Sequence, residues 1–400
     1  MPRTSKGRHT APGGHAPAPV PGWQAACEGR YLDALRETRA AADDTNPISF
    51  DPLVYVLTAV GRAEEASAVR KRRFELEQAD ARQSKQFQRM LDSAKEKRVA
   101  PTPPPAGPQE VSPSEALERL TVAVQSNRVV IVAEEHQSPE HRAFGAAMLP
   151  ALHAAGITHL ALEASRQQPL DEAMRTGVVT PGTEAFAFEP QRAGLLRAAI
   201  ALRLPIVAFD VAEEDEHWML EHPDQSMAHR EEVMARNIRQ RIVEPCAESK
   251  VLVWVGMGHA QKRVGLVKMM ADWLCEEMEQ EPYSAYQVTG LGLRPGVDLV
   301  IRHPDATSFR EHPSWLRTSK HLSVSGVVRP TEEYLVQLVP ATERGGTPAD
   351  QLLTQGDGEF KLLVLPGNYD LRVWNESAGL VHERPLAVTT DVQRLRVSGQ

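Results

Sequence analysis

The sequence predicts an α/β domain with a mostly parallel sheet flanked by helices, preceded by a helical segment and followed by a β-sandwich. In the middle of the chain, continuous apolar runs alternate with segments of helical periodicity, which is typical of parallel strands covered by helices on both faces. Towards the amino terminus the periodicity is helical, and towards the carboxyl terminus short alternating runs are separated by turn residues. These three patterns define the predicted architecture.

The 400 residues divide into five regions. Residues 1–22 lack periodicity and are rich in Pro, Gly and His, which predicts a disordered tail. Residues 23–98 predict a helical segment whose GRYLDAL and GRAEEA motifs resemble a tetratricopeptide-type (TPR-like) hairpin, although about three such repeats are needed for an independent solenoid. Residues 99–112 form a proline-rich linker, 113–312 form the α/β domain, and 320–400 form the β-sandwich.

Cap and breaker residues define the elements of the α/β domain. The pairs Ser112–Pro113 and Ser138–Pro139 each predict a helix start. Gly156 should end the second of these helices, and Pro150 should kink or shorten it. The later predicted helices are 191–202, 226–243 and 264–278, and the predicted strands are 129–132, 157–162, 204–209, 251–255, 285–290 and 297–302. In the β-sandwich the predicted strands are 322–328, 334–339, 360–364, 369–374 and 395–397.

Composition narrows the class of partner. The formal net charge is −8, from 53 acidic and 45 basic residues, which argues against a nucleic-acid-binding protein. Small molecules, peptides and proteins remain as expected partners. The three cysteines are widely spaced and odd in number, so no disulfide framework is expected. No apolar run reaches the roughly 20 residues that span a membrane, and no signal peptide is visible. A cytoplasmic location is the default expectation, with export left open.

Ionisable residues follow four successive predicted strands. Because the ligand crevice of a parallel sheet lies beyond the carboxyl ends of its strands, we expect these residues to converge there. They are Glu134, Glu135 and His136 after the first strand, Glu163 after the second, Asp210 after the third and His259 after the fourth. Glu135 would face away from Glu134 if the strand continued, so we assign it a structural role. The acidic run Glu213–Glu216 predicts a solvated loop.

Two histidines among several carboxylates can perform two kinds of chemistry. His136 and His259, with Glu134 or Glu163, could ligate a divalent metal such as Mn, Co, Zn or Fe and activate a bound water. Without a metal, a histidine oriented by a carboxylate can act as a general base. The spacing of the residues does not separate these alternatives. Each residue could also simply cap a helix or pair with an arginine.

Four motifs in order resemble one superfamily. These are AEEH (133–136), LALEAS (160–165), HREEVMARNI (229–238) and VGMGHA (255–260). The series is similar to the superfamily that groups ChaN-like haem-uptake lipoproteins, TIKI/TraB metalloproteases and erythromycin esterases, with the ChaN-like type as the nearest local match. The resemblance covers roughly residues 114–310.

The resemblance implies a set of functional residues and an activity. It assigns catalytic positions to Glu134, His136, Glu163, Arg230, Asn237 and His259, with Asp210 as a secondary position. Arg230 and Asn237 are seven residues apart and hence on nearly the same helix face. The implied activity is a hydrolase, esterase-like or metallopeptidase-like. The alternatives are a haem- or metal-binding protein without turnover, and an interaction scaffold with a degenerate site.

The flanking regions suggest accessory roles. GDGEFKLLVLPGNYDLRV (356–373) resembles the carboxypeptidase regulatory-like (transthyretin-like) module, which implies spacing, adhesion or stability. The helical segment and this module are the expected docking surfaces for a protein partner.

Overall fold

A computed structural model describes residues 20–83, 109–223, 225–263, 268–289, 296–304, 321–329 and 332–397. Most of the predicted disordered tail (1–22), residues 84–98 of the predicted helical segment and most of the predicted linker lie outside these ranges. The described residues form a seven-stranded parallel sheet flanked by helices, with helices before it and antiparallel strands after it. The predicted fold class is therefore confirmed.

The amino-terminal unit is a small helical bundle. Its helices are α1 (Trp23–Cys27), α2 (Tyr31–Ala41), α3 (Phe50–Ala59) and α4 (Ala63–Gln83). Leu35 on α2 and Val54 and Leu57 on α3 are buried, because their spacing places them on the faces that meet. At the start of α1, Gly22 has a φ of 72°, and an added Cβ would lie 2.6 Å from the carbonyl oxygen of Ala34. This turn therefore requires glycine.

The α/β domain alternates strands and helices. In chain order its elements are β1 (Gln109–Val111), α5 (Pro113–Ser126), β2 (Val129–Glu134), α6 (Pro139–Ala154), β3 (His159–Leu162), α7 (Gln168–Thr176), α8 (Pro190–Ala201), β4 (Ile206–Ala208), α9 (Glu213–Glu221), α10 (Ser226–Ile238), β5 (Val251–Gly256), α11 (Met270–Glu277), β6 (Tyr283–Thr289) and β7 (Leu299–His303). A capping box between Ser112 and Glu115 begins α5. Strands β2 and β5 are buried along their whole length, as expected for apolar strands covered on both faces.

The strand order brings distant parts of the chain together. The sheet runs β1-β7-β6-β2-β5-β3-β4, and all of its pairings are parallel. Strand β5 thus lies between β2 and β3. The carboxyl ends of these three strands carry Glu134, Gly256 and Glu163, which therefore lie at the same end of the sheet.

Several predicted elements differ in the structure. Residues 109–111 form strand β1 rather than part of the linker. The predicted loop Glu213–Glu216 is the first turn of α9, where four carboxylates face the positive end of the helix dipole. Helix α6 continues through Pro150 to Ala154. The long helix predicted over 226–243 ends as a π-helical turn at Arg239–Val243, and residues 264–267 of the last predicted helix lie outside the described ranges.

The carboxyl-terminal unit is a two-sheet sandwich. Its strands are β8 (Leu322–Val327), β9 (Tyr334–Pro340), β10 (Asp350–Leu353), β11 (Glu359–Val364), β12 (Gly367–Asn375), β13 (Gly379–Val388) and β14 (Val392–Arg396). One sheet has the order β10-β9-β12-β13 and the other β11-β8-β14. Two of these strands, β10 and β13, were not among the predicted ones, because polar residues interrupt their apolar alternation.

The three units contact one another through both apolar and polar groups. Leu335 and Leu353 of the sandwich and Phe188 of the α/β domain join the apolar cluster of the helical unit. The N–H of Leu353 donates to the carbonyl of Val60 at 2.8 Å, and Arg197 pairs with Glu343 at 2.7 Å. The accessory units are therefore packed against the α/β domain. Among the described helices, none is both long enough and apolar enough to cross a lipid bilayer.

Candidate functional site

Glu134 lies at the end of β2 and is fully buried. Arg142 of α6 donates from Nε to both of its oxygens, at 3.1 and 3.2 Å, and Trp254 of β5 donates its indole N–H. Burial alone would raise the pKa of Glu134, but the positive charges of Arg142 and Arg192 hold it well below its ordinary value. Glu134 is therefore a permanent anion inside the protein.

His136 stands over this anion. Its Nδ1 lies 3.0 Å from Oε1 of Glu134, and because a carboxylate can only accept hydrogen bonds, Nδ1 carries the proton. The other nitrogen, Nε2, lies 3.7 Å from Oε2 of Glu163, and in the neutral form of this tautomer it is the nitrogen that can accept a proton. The ring stacks on Phe186, with centroids 5.0 Å apart and planes at 19°. The side chain is 25% exposed, so part of the ring is open to solvent.

Glu163 follows β3 and is held from two sides. Its Oε2 accepts the N–H of Gly256 at 2.6 Å, and its Oε1 accepts Nη2 of Arg230 at 2.8 Å. Arg230 is in turn held by Asp210, which accepts from both Nε and Nη2. Burial raises the pKa of Glu163, yet the charges of His136, His259 and Arg230 leave it below its ordinary value. Glu163 is thus a charged carboxylate in a fixed orientation.

His259 repeats the arrangement of His136 on the other side of Glu163. Its Nδ1 lies 2.7 Å from Oε1 of Glu231 on α10, and its Nε2 lies 3.6 Å from Oε1 of Glu163. Burial lowers the pKa of His259, but the hydrogen bond to Glu231 and the charges of Glu163 and Glu231 outweigh it, so the net pKa is raised. His259 therefore holds a second proton more readily than an ordinary histidine.

The site is consequently a symmetric arrangement of two histidine–carboxylate pairs. The Nε2 atoms of His136 and His259 face opposite oxygens of Glu163. Gly256 makes the close approach possible, because a Cβ at this position would lie 2.5 Å from Nε2 of His136. This arrangement can accept a proton at one imidazole and deliver one from the other.

The predicted metal ligands do not fit a metal ion. Both oxygens of Glu134 accept from protein donors. Both oxygens of Glu163 are likewise occupied, one by the Arg230 guanidinium, whose positive charge would repel a cation bound to the same oxygen. Within the described residues, no group of three or more His, Cys, Asp or Glu side chains could hold a metal.

The structure brings most of the predicted site residues together. Glu134, His136, Glu163, Arg230, Asp210 and His259 are linked by the contacts above. Asn237 has a different place from the one predicted: its Nδ2 donates to the carbonyls of Phe209 and Asp210, at 3.0 and 3.3 Å. It braces the main chain after β4, because two turns of α10 separate it from Arg230 along the helix axis. Glu135 has the structural role expected, since its carboxylate accepts the hydroxyl of Ser138.

Several residues of the site were not predicted from the sequence. Glu231 is adjacent to Arg230, but the motif resemblance assigns a role to Arg230 only, so Glu231 was not among the predicted residues. Arg142 and Arg192 lie on predicted helices whose apolar spacing gave no sign of a buried charge. Phe186 lies in the irregular segment 177–189, where periodicity carries no information. A surplus of arginines on otherwise apolar helices was the available signal for buried carboxylate partners.

Comparison with known proteins finds only distant structural likenesses. No family profile matches the chain, and no curated protein is significantly similar to it. Among solved structures, RRSP, a MARTX toxin effector domain from Vibrio vulnificus CMCP6, is 22% identical with a TM-score of 0.33, over 43% of this chain and 35% of that one. The chain therefore spans about a third of the length of that structure.

Two further solved structures are similar at the same level. The type III effector HopBA1 is 17% identical, with a TM-score of 0.33, over 52% of this chain and 100% of that chain. A bacterial protein toxin is 18% identical, with a TM-score of 0.35, over 66% and 57%. Likenesses this distant carry no functional argument, and the superfamily resemblance of the motifs stays a prediction.

Proposed function

We propose that the chain is a metal-independent hydrolase that cleaves ester or amide bonds in a small molecule or a peptide, with His136 as the general base. The observation that carries this proposal is the convergence of two histidine–carboxylate pairs on opposite oxygens of Glu163. Each buried glutamate fixes the tautomer of its histidine and stabilises the imidazolium, as a carboxylate does in a catalytic triad.

The reaction begins with a water molecule. Nε2 of His136 accepts a proton from the water, whose oxygen adds to the carbonyl carbon of the substrate. The tetrahedral intermediate then collapses, the bond from carbon to the leaving oxygen or nitrogen breaks, and Nε2 of His259 donates the proton to the leaving group. The raised pKa of His259 suits it to carry that proton at neutral pH.

Proton exchange with water restores the starting state. After one turnover His136 holds an extra proton and His259 lacks one. Glu163 lies 3.7 and 3.6 Å from the two Nε2 atoms, so its charged carboxylate can stabilise either imidazolium, while His136 releases its proton to water and His259 takes one up from water. Arg230 acts as a positioning residue, because it holds Glu163 through a hydrogen bond and is itself held by Asp210.

The test is a hydrolysis screen of the full chain with p-nitrophenyl esters and a fluorogenic peptide library. We expect turnover that is unaffected by a chelator. His136→Gln and His259→Gln should each reduce kcat by roughly 100-fold or more, because general acid–base catalysis contributes about 10²- to 10⁴-fold. His217→Gln is the matched control, since His217 is 76% exposed on α9. Equal rates in His136→Gln and the wild type would contradict the proposal.

Elemental analysis and haem titration of the same samples complete the test. Stoichiometric metal that is lost in both His136→Gln and His259→Gln would favour the metal-dependent alternative. A haem Soret band abolished by these substitutions, without turnover, would favour a binding protein. Either result would overturn the metal-independent hydrolase.

A further inference from the structure

Phe186 is the side chain that supports the face of the His136 ring. The two rings are nearly parallel, 19° apart, with centroids separated by 5.0 Å. Glu134 binds Nδ1 of His136 through one hydrogen bond, and the imidazole ring could still rotate about the axis of that bond. The stacking contact with Phe186 removes that freedom, so the direction of Nε2 depends on Phe186.

Phe186 does not belong to a helix or strand of the α/β domain. It lies in the irregular segment 177–189 between α7 and α8. The side chain is partly exposed, and its neighbours are aromatic rings of the helical unit. Trp23 approaches it edge-on at 5.7 Å, and Tyr55 lies 5.3 Å away at a tilt of 45°. The helical unit thus forms the wall behind Phe186.

Hydrogen bonds from both accessory units fix the main chain next to Phe186. The hydroxyl of Tyr31, on α2, donates to the carbonyl of Phe188 at 2.9 Å. The hydroxyl of Thr347, in the sandwich, donates to the carbonyl of Ala187 at 2.7 Å. Both bonds are buried, and a buried carbonyl that loses its donor is costly. The segment is therefore clamped from two sides.

From these contacts we infer that Phe186 is a positioning residue for the catalytic base, and that the helical unit and the sandwich hold it in place. The accessory units thus contribute to catalysis through the orientation of His136, without touching the reacting atoms. This inference rests on the proposed function for the role of His136, but the orientation itself can be measured without a substrate.

The experiment uses the full chain with Phe186→Leu, Phe186→Tyr, Tyr31→Phe and Thr347→Val. The reaction of His136 with diethyl pyrocarbonate is followed by peptide mass spectrometry, and its ring signals are followed by NMR. Kinetic constants are measured with a p-nitrophenyl ester. Tyr283→Phe is the matched control, because Tyr283 begins β6 and pairs with Val130 near the start of β2, whereas the site lies beyond the carboxyl ends of the strands. Circular dichroism reports whether each variant folds.

In Phe186→Leu we expect faster modification of His136, more than one set of ring signals, and a kcat lower by about 10- to 100-fold with KM nearly unchanged, because misplacement of a catalytic group acts on the chemical step. Phe186→Tyr should restore the wild-type behaviour, since it keeps an aromatic face. Tyr31→Phe and Thr347→Val should change the same observables in the same direction, and Tyr283→Phe should change none.

Two results separate this inference from the proposed function. If His136 reacts at the wild-type rate with one set of ring signals in Phe186→Leu, Tyr31→Phe and Thr347→Val, the positioning role is wrong, whatever the hydrolysis data show. If those signals change but His136→Gln hydrolyses the ester normally, the positioning stands and the proposed function fails. Should Phe186→Leu not fold, the two hydroxyl deletions decide the question.

Discussion

Replacement of Glu231 by glutamine removes one charge from the site while it keeps nearly the same shape. Glu231 is fully buried, and its two oxygens accept from His259 Nδ1 and from the N–H of Met270, both at 2.7 Å. In the variant the amide can still accept from Met270. It then presents an NH2 group to Nδ1 of His259, so the charge-assisted bond to the imidazole is lost.

The size of the expected change in the free energy of unfolding follows from the burial of this hydrogen bond, and its pH dependence follows from the pKa of His259. A buried hydrogen bond to a charged group contributes roughly 1.5–3 kcal/mol. The pKa of His259 is raised in the folded protein above 6.5, so the stability it contributes is fully present below pH 6.5 and is lost as the pH rises through the folded pKa. Glu231→Gln should therefore destabilise the protein by about 2 kcal/mol near pH 6 and by less near pH 9.

Urea denaturation of the wild type and Glu231→Gln across this pH range measures the difference in the free energy of unfolding. Glu232→Gln is the matched control, because Glu232 is exposed on the same helix and its replacement should produce a small difference at every pH. The decisive quantity is the pH slope. A difference for Glu231→Gln that is constant with pH would refute the coupling of His259 to Glu231.

Three further predictions use other buried contacts of the α/β domain. Gly256→Ala should reduce hydrolysis by about 100-fold and lower the thermal midpoint, because the new Cβ must displace the His136 ring from its contacts with Glu134 and Phe186. Gly194→Ala, with open space around it, should leave both unchanged. Arg142→Met should lower the free energy of unfolding by about 3–5 kcal/mol, because it removes the guanidinium that donates to both oxygens of the buried Glu134. The double variant with Glu134→Gln should recover part of that loss, and simple additivity in the urea data would contradict this. Burial lowers the pKa of His303 to about 3. Stability that is present above pH 6.5 should therefore be lost as the pH falls towards 3, since the unfolded chain binds the proton first. His303→Gln should reduce the fall of the urea midpoint at acid pH, and an unchanged fall would refute this prediction.

The strand ends show how much of the site the sequence could predict. Glu134, His136, Glu163, Asp210 and His259 follow apolar runs, and because parallel strands share a carboxyl edge, their convergence could be predicted without the strand order. The order of the strands in the sheet could not be predicted from the sequence. Strand β5 lies between β2 and β3 although it follows both in sequence, and this insertion alone places His259 opposite His136.

The residues that sequence reasoning missed act across long separations. Arg142 supports Glu134 from a helix whose other buried residues, apart from His141, are apolar. Trp254 reaches the same carboxylate from β5, 120 positions away. No local pattern encodes such pairings, since each helix or strand satisfies its own periodicity. Asn237 shows a related limit, because a shared helix face specifies direction but not depth along the helix axis, and its Nδ2 donates to the carbonyls of Phe209 and Asp210.

A gradient of burial gives the site its chemical character. The glutamates that orient the histidines, Glu134 and Glu231, are 0% exposed, whereas the side chains of His136 and His259 are 25% and 11% exposed. The buried carboxylates interact strongly with the imidazoles because the local dielectric constant is low. The partly exposed imidazoles can exchange protons with water or a substrate. Although burial lowers the pKa of His259, the buried Glu231 helps to raise it. Loss of Glu231 should change the pH dependence of activity more than it changes substrate binding.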